Sequence, residues 1–326
     1  MADILLEGRN LTKHYPITRG FLRHTIGWVR AMDDISFTVE RGNTLSLVGE
    51  SGAGKTTTAK AVLLLERLTS GTILFEGKDL YKYSRSQLKT EYRSRVQAVQ
   101  QNPWSSMNPR MRVRDIIGEP LEVNTKQSKK QIRRRTLELL GQVGLMPEHI
   151  DRYPHEFSGG QRQRIAVARA LALQPSLVVL DEPVSALDVS IRAQIMNLLK
   201  DLQLQHNLSY LVIAHNLATV RYMSHSVAIM YLGQIVEYAD SEELFTNPLH
   251  PYTRALISAS LLILPEENQQ IKKQIILTGE MPSPVNPPQG CRFHTRCPEA
   301  LNICSKVIPK TVIIGKHMVQ CHLVTG

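Results

Sequence analysis

Short runs in which apolar and polar residues alternate fill the chain up to about Phe75, among them I-S-F-T-V and T-L-S-L-V. Alternation with a period of two predicts β-strands with one buried face. Two later runs, S-L-V-V-L and S-Y-L-V-I-A, are apolar throughout and predict strands buried on both faces. A helical pattern from Ile191 to Gln205 separates them. This alternation predicts an α/β fold whose parallel sheet is connected by crossover helices.

The pattern changes twice along the chain. Between about residues 102 and 160 a charged helical pattern replaces the β-branched runs, with one helix predicted from Lys129 to Val143 before the stop G-L-M-P. A further helical run begins at Gln161 and ends before Pro175, and the chain becomes rich in proline after about residue 240. We predict a domain over residues 1–240 with a helical subdomain at about 102–160, followed by a small C-terminal extension over 241–326.

A glycine-rich segment follows one of the predicted strands. Its sequence, G-E-S-G-A-G-K-T, has the G-x-x-x-x-G-K-T spacing of a phosphate-binding loop and precedes a helix-forming run. The glycines let backbone N–H groups turn toward phosphates, Lys55 neutralises the β and γ oxygens, and the Thr56 hydroxyl ligates Mg²⁺. We therefore predict a nucleoside triphosphate site that includes Gly49, Glu50, Ser51, Gly52, Ala53, Gly54, Lys55, Thr56 and Thr57.

Two acids end the apolar run S-L-V-V-L-D-E. The first, Asp181, is expected at the carboxyl edge of its strand, where it would hold Mg²⁺ together with Thr56. The second, Glu182, points elsewhere and is placed to polarise an attacking water as general base. The pattern thus predicts hydrolysis of the bound triphosphate.

Composition excludes some classes of protein and leaves others open. No apolar run reaches the 18 residues of a membrane helix, and the N-terminal run M-A-D-I-L-L-E has an early acid where a secretory signal would be basic. We expect a cytosolic protein. The net charge of +10, concentrated in Lys78–Arg95 and Lys126–Arg135, fits nucleic acid, an anionic membrane face or a solvated basic surface. No aromatic residue interleaves with the second stretch, so base stacking there is unsupported.

All four cysteines lie in the last 36 residues, at Cys291, Cys297, Cys304 and Cys321. Such clustering indicates a local site, and disulfides are disfavoured in the cytosol. An iron–sulfur cluster is the favoured interpretation, ahead of zinc and of unliganded thiols. The spacing is neither a zinc ribbon nor the ferredoxin run. His294 and His322 are alternative ligands in the zinc case.

The segment F-S-G-G-Q-R-Q-R, which runs from Phe157 to Arg164, precedes the Asp-Glu strand. It resembles the signature motif of the ATP-binding cassette (ABC) ATPases. A hydroxyl, backbone amides and a helix N-terminus would face one way here, which suits a γ-phosphate. In that family the phosphate belongs to the opposite subunit. The resemblance assigns this role to Ser158, Gly159, Gly160 and Gln161.

The resemblance extends to the other motifs of the family. It implies that Gln101 senses Mg²⁺ and the attacking water, that Asp188 in S-A-L-D lies on the loop between two ATPase subunits, and that His215 contacts the γ-phosphate. Tyr15 resembles the aromatic residue that stacks on adenine. A core role for this tyrosine stays open, with His14, His24 and Trp28 as competitors for the stacking position.

Longer blocks make the chain similar to the dipeptide and oligopeptide importer ATPases. They include W-S-S-M-N-P-R-M, D-E-P-V-S-A-L-D-V-S-I-R-A-Q, M-Y-L-G-Q-I-V-E and H-P-Y-T-R-A-L, and the second resembles the F-type subunit rather than the D-type. The sequence departs from the pattern at Asn216, where an aspartate is usual, and at His225, where an acid is common. The cysteine segment resembles the C-terminal extension of this family, which carries a four-iron cluster in some members.

The resemblance implies an ATPase subunit that powers import of di- or oligopeptides from the cytoplasmic face of the membrane. It implies ATP, Mg²⁺ and a 4Fe–4S cluster as ligands. The expected partners are a second ATPase subunit, of the D-type, two transmembrane permeases and an extracytoplasmic peptide-binding protein. No nucleic acid partner is expected. The coupling surface is expected in Gln101–Met111, with exposed Trp104 and Arg110. The first alternative is the ATPase of a related importer for nickel or another small solute. The second, less favoured alternative is a non-transport cassette ATPase.

Overall fold

The apolar runs of the sequence form strands in the computed structural model, which describes residues 3–20, 24–260 and 274–325. Met1 and Ala2 of the N-terminal run lie outside the described residues. The strands are β1 (Ile4–Arg19), β2 (His24–Glu40), β3 (Thr44–Val48), β4 (Ser70–Phe75), β5 (Lys78–Asp79), β6 (Val96–Val99), β7 (Leu177–Asp181), β8 (Ser209–Ala214), β9 (Ser226–Tyr231), β10 (Gln234–Asp240), β11 (Thr311–Ile314) and β12 (His317–Gln320).

Helices occupy most of the segments that carry a helical pattern. They are α1 (Lys55–Val62), α2 (Arg85–Gln87), α3 (Pro103–Ser106), α4 (Val113–Asn124), α5 (Lys129–Gln142), α6 (Gly159–Leu171), α7 (Val189–His206), α8 (Leu217–Met223), α9 (Ser241–Thr246) and α10 (Pro251–Ser260). Within the described ranges, no helix is long and apolar enough to cross a bilayer.

The chain divides into two compact units whose segments interleave along the sequence. The first consists of the described residues of Met1–Leu6, Val39–Asn43 and Phe75–Ile213. The second consists of the described residues of Glu7–Thr38, Thr44–Leu74 and Ala214–Gly326. The domain boundary that the sequence places at residue 240 stays a prediction.

Parallel strands form the centre of the first unit. β6 pairs with β7 from Val96↔Leu177 to Val99↔Leu180, and β7 pairs with β8 from Leu177↔Ser209 to Asp181↔Ile213. The residues Leu177–Leu180 are buried, as an apolar strand covered on both faces requires. The helix α7 lies between β7 and β8 along the chain, which confirms the predicted parallel arrangement with a crossover helix.

Three helices of the first unit, α4, α5 and α6, pack against one another. The helix α5 begins where the sequence predicts, because Ser128 and Gln131 form a reciprocal capping box at its N-terminus. Its inner face buries Ile132, Leu139 and Leu140. The helical structure of residues 129–142 therefore follows from capping and apolar spacing.

The second unit contains strands in the order β11-β12-β10-β9-β3 and, in another sheet, β2, β1 and β4 side by side. The strand β3 runs parallel to β9, whereas β9 and β10, β10 and β12, and β11 and β12 are antiparallel. The last two strands of the cysteine-containing segment thus extend the sheet that holds β3. The phosphate loop follows directly after β3.

A buried carboxylate, Glu237 on β10, anchors the C-terminal strands of the second unit. It is fully buried and accepts hydrogen bonds from the N–H groups of Leu249 (2.6 Å) and His250 (3.1 Å). Nε2 of His317 lies 2.7 Å from the same carboxylate. Burial opposes charge on His317, but the hydrogen bonds and negative charges of Glu237 and Glu243 together outweigh this effect and raise the pKa of the imidazole. The ion pair ties β12 to β10.

An ion cluster at Glu76 joins distant segments within the first unit. Both oxygens of the carboxylate accept from Arg95, at 2.7 Å each, and Oε1 also accepts from Arg41 at 2.6 Å. The bonds from Arg95, reinforced by Arg41, lower the pKa of Glu76 to about 2 despite partial burial. The cluster is bidentate and networked, the arrangement in which partly exposed ion pairs do contribute to stability.

We expect Glu76→Gln to lower the free energy of unfolding at pH 7 by about 1–2 kcal/mol, a figure reduced for solvent screening because a third of the side chain is exposed. The folded pKa lies below the unfolded value, so this stabilisation is complete above about pH 5 and declines as the pH falls toward 2. Urea unfolding of both proteins between pH 7 and pH 3 measures the difference.

The matched control is Glu138→Gln, which removes an exposed helical pair with Arg134 and should change the unfolding free energy by less than about 0.5 kcal/mol. An equal loss in the two variants, or a Glu76→Gln difference that does not shrink toward pH 3, would contradict the role assigned to the cluster.

Candidate functional site

The phosphate loop of the second unit follows a backbone path that glycine alone permits. Gly52 and Gly54 adopt positive φ angles of 81° and 107°. A Cβ on Gly49 would lie 2.2 Å from the carbonyl oxygen of Met230, and a Cβ on Gly54 would lie 2.2 Å from that of Ala31. The backbone at Met230 and the backbone at Ala31 therefore pack closely against the loop. The result is a narrow cradle of backbone amides that suits phosphate oxygens.

The charged and hydroxyl groups of the loop lie at the start of α1. Lys55 is 7% exposed, and its Nζ donates to the carbonyls of Gly49 (2.6 Å) and Glu50 (2.9 Å). Thr56, the next residue, is exposed and Thr57 is half-buried. The loop thus places an ammonium group, a hydroxyl and a helix N-terminus together. This is the chemistry needed to bind a triphosphate and Mg²⁺.

Tyr15 on β1 lies beside this loop. Burial raises the pKa of its phenol, while a hydrogen bond with Thr57 opposes the rise, and Lys13 Nζ lies 4.7 Å from its ring centroid. Two of the residues that compete with Tyr15 for the stacking position have other surroundings. Nε2 of His14 lies 3.3 Å from an Asp33 oxygen, and Trp28 is 49% exposed. The contact of Tyr15 with adenine stays a prediction.

In the first unit, two predicted catalytic residues meet although 81 positions separate them. Nε2 of Gln101 donates to Oε2 of Glu182 at 2.8 Å. Glu182 follows Asp181, the half-buried last residue of β7, and has a positive φ of 46°. Its N–H donates to the carbonyl of Ile213 at 2.9 Å. This backbone conformation is uncommon outside glycine, and it turns Glu182 away from the direction of the strand.

The signature segment forms the N-terminus of α6. Ser158 and Gln161 cap each other: the Ser158 N–H donates to Oε1 of Gln161 (3.0 Å), and the Gln161 N–H donates to Oγ of Ser158 (3.3 Å). A Cβ on Gly160 would lie 2.5 Å from Cγ2 of Ile191 on α7. Ser158 and Gly159 are exposed at this helix end. The positive end of the helix dipole is therefore exposed at the surface of this unit.

Asp188 and His215 each stand at the start of a helix. Asp188 is the exposed N-cap residue of α7. His215 is exposed after β8, and the next residue, Asn216, caps α8 by accepting the N–H of Thr219 at 3.1 Å. The departure from aspartate at position 216 therefore keeps the capping function, because both side chains accept this bond well.

The departure at His225 also has a structural explanation. Nδ1 of His225 accepts the N–H of Thr44 at 3.0 Å, and the His225 N–H donates to the Thr44 carbonyl at 3.0 Å. Both bonds lie at the beginning of β3. This histidine therefore aligns the strand that leads into the phosphate loop.

The cysteines lie near one another in the second unit. Burial raises the pKa of the Cys291 thiol to about 11, with a further rise from the three other thiols, and the Cys291 N–H donates to the Cys304 carbonyl at 2.8 Å. His294 and His322 contact the backbone carbonyls of Cys291 and Val307. Across the described residues, however, no group of three or more His, Cys, Asp or Glu side chains is arranged to hold a metal ion. The thiols as they stand do not fit a metal site.

Two further residues contact the phosphate loop and were not predicted from the sequence. The hydroxyl of Tyr252 accepts the Glu50 N–H at 3.0 Å, and Nη1 of Arg296 donates to both Glu50 oxygens at 3.1 and 2.9 Å. Both residues belong to segments that the sequence singles out, H-P-Y-T-R-A-L and C-R-F-H-T-R-C. Their separation from Glu50, by 202 and 246 positions, gives no local signal of the contact.

Comparisons with known proteins agree with this geometry. The family model described as "ABC transporter" matches residues 32–185, and the model described as "Oligopeptide/dipeptide transporter, C-terminal region" matches residues 236–304. The oligopeptide transport ATP-binding protein AppF of Bacillus subtilis is 47% identical over 98% of both chains. The dipeptide transport ATP-binding protein DppF of Escherichia coli is 46% identical over 98% of this chain and 94% of its own.

Solved structures match as well. The chain is similar to the ATP-binding cassette MJ0796 in a dimeric post-hydrolysis state bound to ADP and Pi, with a TM-score of 0.64, 25% identity, and coverage of 73% of this chain and 99% of that one. It is also similar to cbiO1 from Clostridium perfringens, with a TM-score of 0.66, 25% identity, and coverage of 82% and 98%. These likenesses confirm the predicted cassette ATPase fold. The chain belongs to the ABC transporter family, among the ATPases of dipeptide and oligopeptide importers.

Proposed function

We propose that this chain is the ATP-hydrolysing subunit that powers uptake of di- or oligopeptides through a membrane permease. The observation that carries the proposal is the occurrence, in one chain, of the glycine cradle, the Gln101–Glu182 pair and the signature helix N-terminus. The relatives AppF and DppF and the C-terminal family are described as oligopeptide or dipeptide transport proteins, which supports a peptide as cargo rather than nickel.

We assign the triphosphate to the phosphate loop. Its backbone amides and Lys55 bind the phosphates, and Tyr15 contacts the adenine ring. Mg²⁺, when bound, would offset the negative charge of the phosphates, and Thr56, Gln101 and Asp181 would hold it. These residues carry the oxygen groups that magnesium prefers.

Glu182 acts as general base in this proposal, and Gln101 orients it. The carboxylate is already held by the amide of Gln101, so it is positioned before a water arrives. His215 contacts the γ-phosphate. Each of these roles stays a prediction until it is tested by substitution.

We further propose that the chain works as a dimer with a second cassette ATPase. Residues Ser158–Gln161 of one subunit complete the phosphate site of the other, and Asp188 lies on the loop between them. The dimeric state of the MJ0796 cassette supports this arrangement. The relatives AppF and DppF support an F-type assignment, so the partner would be a D-type chain. ATP contacts both subunits only when the pair is closed, so ATP binding favours the closed dimer.

The segment Gln101–Met111 is the proposed surface that couples the ATPase to two permease subunits. Trp104 is 45% exposed, and the guanidinium of Arg162 lies 4.4 Å from its ring centroid. An extracytoplasmic peptide-binding protein would deliver the cargo, and the chain would act at the cytoplasmic face of the membrane.

We also propose the four cysteines as ligands of a 4Fe–4S cluster, with zinc as the alternative. The proximity of the thiols supports the proposal, but their arrangement does not match a formed metal site, so the ligand geometry would have to develop on binding. No step of ATP hydrolysis is assigned to the cluster.

Glu182→Gln should leave ATP binding intact and lower the hydrolysis rate by about 100-fold or more, because the amide cannot accept a proton from water. The variant should also accumulate as a closed dimer with ATP. Nucleotide binding, phosphate release and size-exclusion chromatography of the chain together with its copurifying ATPase partner measure the three effects.

The control is Glu122→Gln, an exposed residue of α4, which should hydrolyse ATP at the wild-type rate. Hydrolysis by Glu182→Gln within threefold of the wild type would show that another group is the base.

Anaerobically purified protein should contain about four iron atoms and four inorganic sulfides per chain and should be brown. Cys297→Ser should abolish the absorbance, since three thiolates hold the cluster poorly. Iron, zinc and sulfide analysis together with visible spectroscopy tests this. A stoichiometric zinc content without iron, or an identical spectrum for the variant, would refute the cluster.

A further inference from the structure

Glu50 of the phosphate loop is held at every polar group that it carries. Its N–H donates to the Tyr252 hydroxyl at 3.0 Å, its carbonyl accepts from Lys55 Nζ at 2.9 Å, and its carboxylate accepts from Arg296 at 3.1 and 2.9 Å. Two of these partners, Tyr252 and Arg296, belong to the C-terminal region. The loop that would bind phosphate is therefore fixed from outside the nucleotide-binding motifs.

The backbone of Arg296 is hydrogen-bonded to a residue of a buried aromatic cluster. The side chain of Arg296 is 9% exposed, and the backbone N–H of Arg296 donates to the Phe293 carbonyl at 3.0 Å. The Phe293 ring is buried and lies 5.2 Å from Tyr231 and 5.3 Å from Tyr252, centroid to centroid. A mostly buried charge is tolerated only when it is paired, and Glu50 supplies the pairing carboxylate.

A second arginine of the cysteine segment reaches the loop indirectly. Arg292 is buried and donates to the Leu232 carbonyl and to the carboxylate of Asp33. The N–H of the adjacent Gly233 donates to the Ala53 carbonyl of the phosphate loop at 2.9 Å. The two arginines, separated by four positions and flanked by Cys291 and Cys297, thus support the loop at two points.

We propose that Arg296 is a positioning residue for ATP binding, through which the C-terminal cysteine segment holds the phosphate loop in its binding conformation. The inference rests on the proposed assignment of residues 49–56 to the nucleotide phosphates. It adds a function for the cysteine segment that requires no metal. The segment acts on the ATP site directly, through the side-chain contact with Glu50.

Two physical effects follow from loss of the Arg296 charge, and both weaken ATP binding. The Glu50 carboxylate is released, so the peptide that also orients Lys55 is no longer preorganised. The same carboxylate then stands unpaired beside the anionic phosphates and repels them. Glu50→Gln in the same chain removes the repulsion, so the two substitutions act on one interaction and cannot be additive.

The test is the dissociation constant of Mg–ATP, measured by calorimetry on the full chain for Arg296→Gln, Glu50→Gln and the double variant. We expect Arg296→Gln to raise the constant by about tenfold and the double variant to bind more tightly than the sum of the single effects predicts. Arg296→Lys, which keeps the charge, should recover most of the affinity. A general loss of structure would not be rescued in this way.

Two reference variants distinguish a failure of this inference from a failure of the phosphate assignment. Arg254→Gln breaks a similar pair in the same region, with Glu299 at 3.2 Å, and should bind ATP like the wild type. Lys55→Ala should lose ATP binding if the phosphate assignment is right, and wild-type affinity in this variant refutes that assignment. Loss in Lys55→Ala alone, with Arg296→Gln within twofold of the wild type, overturns the inference. Additive effects of the Arg296 and Glu50 substitutions also overturn it.

Discussion

The absence of space for a Cβ at Gly49 and Gly54 is the constraint on which the phosphate site depends. Carbonyl oxygens of Met230 and Ala31 occupy the positions beside these two residues, so the loop backbone packs directly against its own unit. Binding an anion with backbone amides requires that those amides be fixed beforehand, since ordering them on binding would cost affinity. The strand pair β3–β9 and the turn before β10 supply this rigidity.

The C-terminal region belongs to the same framework. It adds β12 and β11 to the sheet beside β10, fixes β12 with the buried Glu237–His317 pair, and reaches the phosphate loop through Tyr252 and Arg296. A charge pair buried in this manner specifies one arrangement of the strands more than it adds stability. The extension therefore contacts both the predicted phosphate loop and the sheet beside it. Its sequence accordingly carries the buried residues Arg292 and Phe293 next to Cys291.

Local patterns in the sequence predict the strands β7 and β8, the helices α5 and α7 and the phosphate loop, because each of these elements depends on neighbouring residues. The family resemblance adds Gln101, and the structure brings it to Glu182. The pairing of β12 with β10 and the contact between Arg296 and Glu50 were not predicted. Both join residues about 80 or more positions apart, and composition or periodicity carries no information on which distant segments meet. The cysteine spacing indicates a shared site but not the geometry of the thiols.

The central claim is that this chain supplies ATP-derived energy to a peptide importer. The most direct measurement is affinity purification of the tagged chain from native membranes, with identification of the recovered subunits. We expect to recover two multi-span permeases, a second cassette ATPase and a peptide-binding protein, in an assembly whose ATP hydrolysis increases when peptide-loaded binding protein is added. Recovery of nucleic acid or soluble assembly factors, with no permease, would contradict it.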